Sequence, residues 1–498
     1  MPQVVVVGAG PVGLWLAIEL HLQGIEVAVL ETRADRDPRS RAVTMQPRII
    51  DTFAMRGIAE RFINAGIKMP TTHFGGVKTR LDLSAVDTWH QFVLAIPQSK
   101  TERLLNEYAL SQGVEIRRGH RLVMLDDAGD EVELGVQSDD GQYSLSCSWL
   151  VGCDGAGSTV RDLAGFDFPG TSNEIHSYLA DVLFETPPET SLAQSDMRGT
   201  MMIAPMEDGV WRVAGITADD IRRPKDAPMT MEMVRNALNR FFGRDFGAHS
   251  PVWISRFGNA TRQASTYRKG RILLAGDAAH IFFPAGAQGI NVGLQDAHNL
   301  SWKLAAQING WAPAWLLDSY ERERRAPTQA VMRNTQAQVA VFVPETNEQL
   351  ALREFFSEAL AFPQINKLWA ERIAGYDVLY EASVEEPVHP QLGKMMPDLQ
   401  FGQSLVPSLY PALHAGKFAF LDLTTNSSLS DAVTAWAGIA TYYPVPGSIS
   451  RPEWQDVSAA LIRPDGHLAW ISRRQADELL STVESVMTYW CGTGNPAR

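Results

Sequence analysis

Residues 4–31 decide the fold and read VVVVGAGPVGLWLAIELHLQGIEVAVLE. The four valines at 4–7 form a continuous β-branched run, which is typical of a parallel strand buried on both faces. Glycines in the spacing GxGxxG follow at once, then an amphipathic segment that predicts a helix over about 11–23, then a second strand that ends on Glu31. In such a βαβ unit the glycines let a pyrophosphate approach the backbone, and an acidic residue about 20 positions on holds a ribose diol. The stretch therefore predicts a dinucleotide site.

The residues after Glu31 bear on which dinucleotide binds. Four arginines follow, at positions 33, 36, 39 and 41, a pattern compatible with the 2′-phosphate of NADP. Glu31 at the strand end would repel that phosphate, which favours an unphosphorylated adenosine ribose. NAD and FAD both remain open from this unit alone.

Two later segments repeat the pattern of strand, loop and helix. Residues 270–299, GRILLAGDAAHIFFPAGAQGINVGLQDAHN, contain an apolar run, Gly276-Asp277, a loop with a proline and glycines, and then a helical pattern. Residues 149–161 pass from an apolar run through Asp154-Gly155 into another predicted helix. A helix N-terminus presents unpaired N–H groups and the positive end of a dipole. Either segment alone is compatible with an ordinary turn; beside residues 4–31 they indicate further parts of one ligand site.

Composition limits the class of protein. With 498 residues the chain is expected to form two or three domains. A net charge of −13 without a basic block argues against a nucleic-acid partner. Three cysteines without metal-ligand spacing predict no metal site and a reducing compartment. The chain starts directly with a strand, and no apolar run reaches the roughly 18–20 residues that cross a bilayer, so we expect a cytoplasmic protein without a membrane segment.

Patterning predicts the rest of the chain in outline. Residues 42–69 are expected to be helical with breaks at Gly57 and Gly66, and residues 74–96 to form antiparallel strands. The region 172–262 is strand-rich around a helix at 231–242, which indicates a mixed sheet with one side available for a ligand. Further along, the pattern predicts helices at 314–340 and 347–375, a linker at 385–390, and a small α/β domain over the last ~110 residues.

Together the motifs resemble one family, the single-component (group A) FAD-dependent aromatic hydroxylases of the para-hydroxybenzoate and phenol hydroxylase group. GxGxxG with Glu31, then Asp154-Gly155, then Gly276-Asp277 with Pro284 and Gly289-Ile290-Asn291 occur in that family's order, and the resemblance covers the whole chain. It looks closest to the angucycline-type hydroxylases of aromatic polyketides. The segments that carry this closer resemblance are Ser40-Arg41, His73-Phe74-Gly75-Gly76, Pro97-Gln98-Ser99, and residues 165–170, 257–263 and 462–467.

The resemblance implies a fold class and its division. The class is α/β, with a Rossmann-like FAD-binding domain, an inserted mixed β-sheet substrate domain and a C-terminal thioredoxin-like domain. The domains would comprise 1–72, 96–171 and 265–385 (FAD-binding, with following helices), 73–95 and 172–264 (substrate-binding sheet), and 390–498 (thioredoxin-like). The last domain lacks CxxC and Cys491 is alone, so we expect a packing or assembly role rather than dithiol chemistry. A homodimer is a candidate assembly.

The resemblance also implies FAD, bound without a covalent link. Because there is only one GxGxxG, NADPH or NADH would dock transiently as co-substrate. Glu31 would hold the adenosine ribose, Asp277 a ribityl hydroxyl, and Asp154 lies in a motif that serves both FAD and the nicotinamide cofactor. The expected cofactor-binding residues are Gly8, Gly10, Pro11, Val12, Gly13, Glu31, Thr32, Arg33, Arg41, Gln98, Leu122, Asp154, Asp277, Pro284, Gly286, Gln288, Gly289, Ile290 and Asn291.

The implied reaction is hydroxylation of a polycyclic aromatic substrate, a polyketide-type phenol or quinone. NAD(P)H would reduce FAD, O2 would give a C4a-hydroperoxyflavin, and its distal oxygen would pass to the ring, with the flavin moving between exposed and buried positions. Arg41 and Pro284 are the expected catalytic residues; no base is assigned, and His73, His280 and Tyr267 are the candidates. The alternatives are a Baeyer–Villiger or antibiotic-inactivating flavin monooxygenase and, from another class, a flavin-binding subunit that binds a polyketide without oxygenating it.

Overall fold

The computed structural model describes residues 1–498 except 225–226, 343, 383–388, 403, 405, 425–427, 446–448, 475 and 494–498. In chain order the first part contains β1 (Val4–Val7), α1 (Pro11–Leu22), β2 (Val27–Glu31), β3 (Thr44–Met45), α2 (Pro47–Ala54), α3 (Ala59–Ile63), β4 (Ile67–Met69), β5 (Thr71–Thr72), β6 (Leu81–Asp82), β7 (Val93–Ala95), α4 (Gln98–Ser111), β8 (Glu115–Arg118), β9 (Arg121–Asp127), β10 (Val132–Ser138), β11 (Gly141–Cys147), β12 (Trp149–Gly152) and α5 (Thr159–Leu163). The middle part contains β13 (His176–Leu183), β14 (Leu192–Asp196), β15 (Gly199–Pro205), β16 (Val210–Thr217), α6 (Met231–Phe242) and β17 (His249–Gly258). The remainder contains β18 (Arg262–Gln263), β19 (Arg268–Lys269), β20 (Ile272–Leu274), β21 (His280–Ile281), α7 (Gly289–Ile308), α8 (Ser319–Phe342), α9 (Asn347–Ala359), α10 (Pro363–Ala374), α11 (Leu409–Ala412), β22 (Phe418–Asp422), α12 (Ser428–Thr434), β23 (Ala440–Pro444), β24 (Ala459–Ile462), β25 (Leu468–Ser472) and α13 (Ala476–Cys491).

A six-stranded sheet organises the chain, with strand order β19-β20-β12-β1-β2-β8. The strands from β20 to β8 run parallel, and β19 pairs antiparallel at the edge. Val4–Val7 are buried, as the valine run predicts. Because these strands are parallel, the carboxyl ends of β20, β12, β1 and β2 meet at one edge of the sheet. Those ends carry the three predicted loops and Glu31.

A five-stranded sheet, β14-β15-β16-β13-β17, forms a second layer. Every pairing in it is antiparallel rather than mixed as predicted, since short turns join neighbouring strands β14, β15 and β16. One face of β13, including Tyr178 and Ala180, packs against α6. On the other face lies Phe257, the partner of Ser177, which contacts Phe283 in the loop after β21. That face is therefore turned toward the second glycine-rich loop.

A mixed four-stranded sheet, β23-β22-β24-β25, builds the C-terminal thioredoxin-like domain, with β22 and β23 parallel and α12 between them. Its hydrophobic core is shared with the rest of the chain, because Trp302 of α7 packs edge-on against Phe418, with ring centroids 5.4 Å apart. Helix α7 thus runs from the edge of the first sheet into the C-terminal domain. The α/β fold class is confirmed.

Several predicted element boundaries are wrong. The segment 42–69 holds α2 and α3 with a left-handed turn at Gly57, where a break is expected, but its two ends form the short strands β3 and β4 instead of helix. Residues 74–96 contain little strand beyond β6 and β7. The helix expected over 347–375 is divided into α9 and α10, because Pro363 has no N–H to continue a helix and instead begins one.

Smaller differences concern elements that local pattern did not reveal. The helix expected from residue 314 begins at Ser319, and strands β14 and β23 were not predicted. The expected linker at 385–390 lies mostly outside the described residues. None of the helices in the described part of the chain combines the length and apolar character that crossing a bilayer requires. Within the same residues no three His, Cys, Asp or Glu side chains cluster as metal ligands would.

Candidate active site

The three predicted loops converge at the carboxyl edge of the first sheet. A Cβ on Gly8 would lie 2.5 Å from the carbonyl oxygen of Cys153, so the first loop and the Asp154 loop touch. A Cβ on Gly13 would lie 1.9 Å from the carbonyl oxygen of Gly8, which is the close helix–strand packing that GxGxxG predicts. A Cβ on Gly293 would lie 2.7 Å from Cγ2 of Val12, so α7 starts beside α1.

Two helix N-termini face open space at this edge. Nothing lies within 4 Å of the Cβ that would be added at Gly10 or at Gly289, the residues that begin α1 and α7. No side chain caps either helix, so their first N–H groups remain available. Both positions therefore form a cradle that a phosphate or another anionic group fits.

Glu31 closes the first loop from the end of β2. Its Oε2 accepts from the backbone N–H of Ala9 at 2.9 Å, and its Oε1 accepts from that of Arg33 at 2.9 Å. The carbonyl oxygen of Glu31 accepts from His120 N–H at 2.9 Å, which brings the start of β9 alongside. Leu122 lies there with its side chain in the core, so only its backbone can serve a ligand.

The residue after Arg41 pairs with the start of α4, and this pairing brings Arg41 and Gln98 together. The backbone N–H of Ala42 donates to Gln98 Oε1 at 3.2 Å, and Gln98 N–H donates to the carbonyl of Ala42 at 2.9 Å. Desolvation raises the pKa of the Asp277 carboxyl, and the positive charge of the exposed Arg41 offsets part of that increase.

Asp277 is the side chain most clearly directed at a ligand. It is exposed, and it has no hydrogen-bond partner among the described residues. Nevertheless desolvation raises the pKa of its carboxyl above the ordinary value. A group that water reaches but that protein closely surrounds lies in a deep concave cleft, which suits a carboxylate that waits for a hydroxyl donor.

The loop from Pro284 to α7 is held in an unusual conformation. Ala287 has φ +51°, a left-handed value that costs a non-glycine residue on the order of 1 kcal/mol. Asn291 secures it, because its Oδ1 accepts from Gln46 N–H at 2.8 Å and its Nδ2 donates to the Ala287 carbonyl at 2.7 Å. Gln46 Nε2 donates to the carbonyl of Gly286, while its buried Oε1 has no partner in the described part of the chain. The side chain of Asn291 thus serves the loop, and Gln46, which the sequence did not mark, leaves a free acceptor beside it.

The other expected residues lie on the same rim, with differing exposure. Asp154 caps α5, accepting from Ser158 Oγ at 2.5 Å and from Val160 N–H at 3.1 Å, so its carboxylate is engaged within the protein. Thr32, Arg33 and Pro284 are exposed, Gly8, Gly10, Val12, Gly289 and Ile290 are partly buried, and Pro11, Gly13, Gly286 and Gln288 are buried.

The three candidate bases differ sharply in position. His280 is buried and its Nε2 meets Asp296 Oδ2 at 2.6 Å, away from the cleft. Tyr267 is fully buried, its OH accepts from Gln263, and burial raises its pKa. His73 is partly exposed, and burial lowers its pKa to about 4, so it is neutral at neutral pH. None of the three forms an evident acid–base pair with a second titratable group facing the cleft.

Aromatic rings line the cleft between the second sheet and the Pro284 loop. Phe283, which precedes Pro284, lies 5.7 Å from Phe257 and 6.4 Å from Phe342 between ring centroids. The His73 ring lies 6.1 Å from Phe342. Such walls favour a flat apolar ligand through area burial and ring stacking. Phe257, Phe283 and Phe342 come from three distant segments, and no local signal marks them as a group.

Comparison with known proteins shows the family to which the chain belongs. A family model described as an FAD binding domain matches residues 1–335, and one described as the C-terminal part of aromatic-ring hydroxylases matches residues 389–494. The chain belongs to the FAD-dependent aromatic-ring hydroxylases. This hydroxylase is 42% identical over 98% of both chains to the uncharacterized aromatic compound monooxygenase YhjG of Bacillus subtilis (strain 168).

Solved structures agree over the whole chain. The OxyS anhydrotetracycline hydroxylase from Streptomyces rimosus superposes with a TM-score of 0.89 at 38% identity, covering 100% of both chains. CabE, an aromatic hydroxylase from angucycline biosynthesis, superposes with a TM-score of 0.89 at 37% identity, covering 99% of this chain and 100% of its own. A dialkyldecalin synthase of Streptomyces rugosporus also matches, 34% identical over 97% of this chain and 98% of its own, so names in this family are not confined to oxygenases.

The residues on the rim fit FAD. Two open helix N-termini suit the pyrophosphate and the electron-rich edge of the ring, and the unpartnered Asp277 suits a ribityl hydroxyl. Gln46 Oε1 supplies a free acceptor for a ring N–H. When bound, FAD takes reducing equivalents from NAD(P)H and activates O2 for transfer of one oxygen atom. The hydroxylase is a flavoprotein monooxygenase, and its own residues bind, orient and shield the reactants.

Proposed function

We propose that this hydroxylase inserts one oxygen atom from O2 into a polycyclic aromatic substrate, a phenol or quinone of polyketide type, at the expense of NADPH or NADH. The observation that carries the proposal is the cluster of aromatic rings beside Pro284, in which Phe257, Phe283 and Phe342 offer apolar surface to a flat ring system. The names of OxyS and CabE, which record a tetracycline precursor and an angucycline pathway, support the substrate class.

We propose a separate role for each group on the rim of the site. Glu31 orients the adenosine ribose, the N-terminus of α1 holds the pyrophosphate, and Asp277 accepts a ribityl hydroxyl. The N-terminus of α7 stabilises negative charge that develops on the cofactor ring, because its dipole points there. Arg41 adds a positive charge at the mouth, and Pro284 borders the reacting edge.

The chain's residues also exclude water from the reaction. Phe283 and Phe342 close the cleft on the side of α8, and the neutral His73 adds no charge to attract solvent. We assign no catalytic base; of the three candidates His73 is the one that is partly exposed, whereas His280 and Tyr267 are buried.

The test is turnover with a panel of polycyclic phenols and quinones under ¹⁸O2, using protein reconstituted with FAD. We expect NAD(P)H oxidation that substrate stimulates and one ¹⁸O atom in a new phenolic hydroxyl, read by mass spectrometry and NMR. An oxygen inserted into a ring would indicate the Baeyer–Villiger alternative, and loss of antibacterial potency in the product would indicate the antibiotic-inactivating one. A yellow protein that binds these compounds but consumes no NAD(P)H would replace the proposal with the non-oxygenating subunit.

Asp277→Ala tests the cofactor site separately. We expect FAD to bind about 10- to 100-fold more weakly, because one hydrogen bond to a charged group is worth about 1.5–3 kcal/mol. Asp139→Ala, which removes an exposed carboxylate from the turn between β10 and β11, is the matched control and should leave FAD affinity unchanged. Equal affinity for both variants would contradict the site.

Three further features complete the proposal. The chain is divided as expected into an FAD-binding domain, an inserted sheet domain and the domain at 390–498, with the last serving packing rather than redox chemistry. The protein acts in the cytoplasm, and a homodimer is the assembly we propose to test by light scattering. A monomer at micromolar concentration would remove the dimer without affecting the reaction.

A further inference from the structure

We propose that Asp296 is a positioning residue for the cofactor site, where it sets the turn that carries Asp277. The inference rests on the proposed role of Asp277 and assigns a task to a residue of α7 whose side chain touches no ligand. Asp296 is fully buried, seven residues into the helix from Gly289.

One carboxylate oxygen of Asp296 closes the turn at both ends. Its Oδ2 accepts from the backbone N–H of Gly276 at 3.0 Å and meets Nε2 of His280 at 2.6 Å. Gly276 directly precedes Asp277, and His280 begins β21 on the far side of the turn. A single atom thus binds the backbone just before the residue that faces the ligand and the His280 side chain just after the turn.

The other oxygen is tied to the protein interior. Asp296 Oδ1 accepts from Arg324 Nε at 2.7 Å, and Arg324 Nη1 donates to the OH of Tyr380 at 2.7 Å. The ring of Tyr380 stacks on His467 of the C-terminal domain, with centroids 4.2 Å apart. Burial would raise the pKa of Asp296, but His280 and Arg324 outweigh it and lower the pKa, so the carboxylate stays charged. These contacts therefore connect the turn to α8 and to the C-terminal domain.

Asp277 depends on the position of its turn, which backbone bonds from Ala279 to Gly276 and from Ala264 to Ala279 also support. No side chain among the described residues bonds to its carboxylate, so the backbone of the turn alone decides where it points. Binding sites lose affinity when a contacting group moves by about 0.5–1 Å, and side chains behind the site usually prevent that movement. Asp296 is the buried side chain that lies behind Asp277 and limits this movement.

The test is Asp296→Asn, assayed by FAD titration of the apoprotein with flavin fluorescence. The amide keeps the shape of the carboxylate but has one acceptor oxygen, so its NH2 must face the Nε–H of Arg324 or the N–H of Gly276. We expect FAD to bind about tenfold or more weakly, and the visible bands of the bound flavin to move toward those of free FAD, since a charge-assisted bond is lost.

Asp51→Asn is the matched control. Asp51 in α2 is also fully buried and accepts from Thr88 at 2.8 Å, from His90 at 2.5 Å and from Tyr376, but it does not touch the turn. We expect a similar fall in apoprotein melting temperature for the two variants, and an FAD affinity within about threefold of the parent for Asp51→Asn. Equal weakening in both variants would reduce Asp296 to a structural residue and overturn the proposal.

The remaining outcomes separate this inference from the proposed function. If Asp277→Ala weakens FAD and Asp296→Asn does not, the positioning role is wrong and the cofactor site stands. If Asp277→Ala keeps full affinity, the proposed cofactor site itself is wrong. Should Asp296→Asn not fold, His280→Phe decides by the same titration, because it removes the ring bond to Asp296, together with the influence of the ring on the Asp277 charge, and leaves the Gly276 bond in place; unchanged affinity there overturns the role.

Discussion

A methyl group at Gly10 gives the sharpest test of where the pyrophosphate lies. Gly10 has φ −75° and ψ 177°, a conformation that any residue adopts, and the added Cβ would meet nothing within 4 Å. Gly10→Ala should therefore leave the apoprotein as stable as the parent, within about 1 kcal/mol. The methyl would stand in the space that a phosphate uses to reach the first N–H groups of α1.

The expected loss of affinity follows from the bonds that the phosphate would lose. Displacing it breaks about one charge-assisted hydrogen bond, worth about 1.5–3 kcal/mol, and weakens its interaction with the helix dipole by about 0.5–1 kcal/mol. The sum, about 2–4 kcal/mol, corresponds to FAD binding about 30- to 700-fold more weakly.

The assay pairs FAD titration of the apoprotein with its thermal unfolding followed by circular dichroism. Gly13→Ala is the contrasting variant: its Cβ would lie 1.9 Å from the Gly8 carbonyl oxygen, so it should destabilise the apoprotein itself. Gly10→Ala with parental melting and parental FAD affinity would refute the placement of the pyrophosphate at α1.

Three further predictions concern the rest of the molecule. Gly289→Leu should leave the apoprotein folded, because the position is open, and should abolish substrate-stimulated NAD(P)H oxidation while some FAD still binds; normal turnover would contradict the placement of the ring at α7. Burial raises the pKa of Glu102 to about 7, above its unfolded value, so the folded state favours the protonated carboxyl. The contribution of this group to stability is therefore present at acid pH and is lost as the pH rises through 7. Glu102→Gln should therefore match the parent in urea unfolding at pH 5 and exceed it by about 2–3 kcal/mol at pH 8.5, whereas an equal difference at both pH values would argue against a raised pKa. Arg463 is fully buried and binds Glu323 at 2.7 Å and Asp465 at 2.6 Å, so Arg463→Met should cost about 3–5 kcal/mol of unfolding free energy by removing the guanidinium that two buried carboxylates share, with Arg463→Lys recovering part. Glu323 would keep its bond to Lys303 and Asp465 its bond to His467, and a cost below about 1 kcal/mol would show that Arg463 contributes little.

The cofactor half of the site could be predicted because its signals are local. Glycine spacing, a preceding β-branched run and a following helical pattern describe backbone geometry within some 30 residues, and the structure has β1, α1 and β2 where residues 4–31 predict them. The predicted element boundaries are wrong where that local information is weak, as in 42–69, where short helices and strands alternate around glycines.

The sequence by itself determined that three glycine-rich loops follow strands of one parallel sheet, in an order that resembles a single family. Only the tertiary structure decided what surrounds them. Gln46 beside the Pro284 loop, the rings of Phe257 and Phe342, and the bonds of Asp296 to both ends of the Asp277 turn join residues far apart in the chain. Such contacts depend on how distant elements pack, and no periodicity or spacing within one segment records that packing.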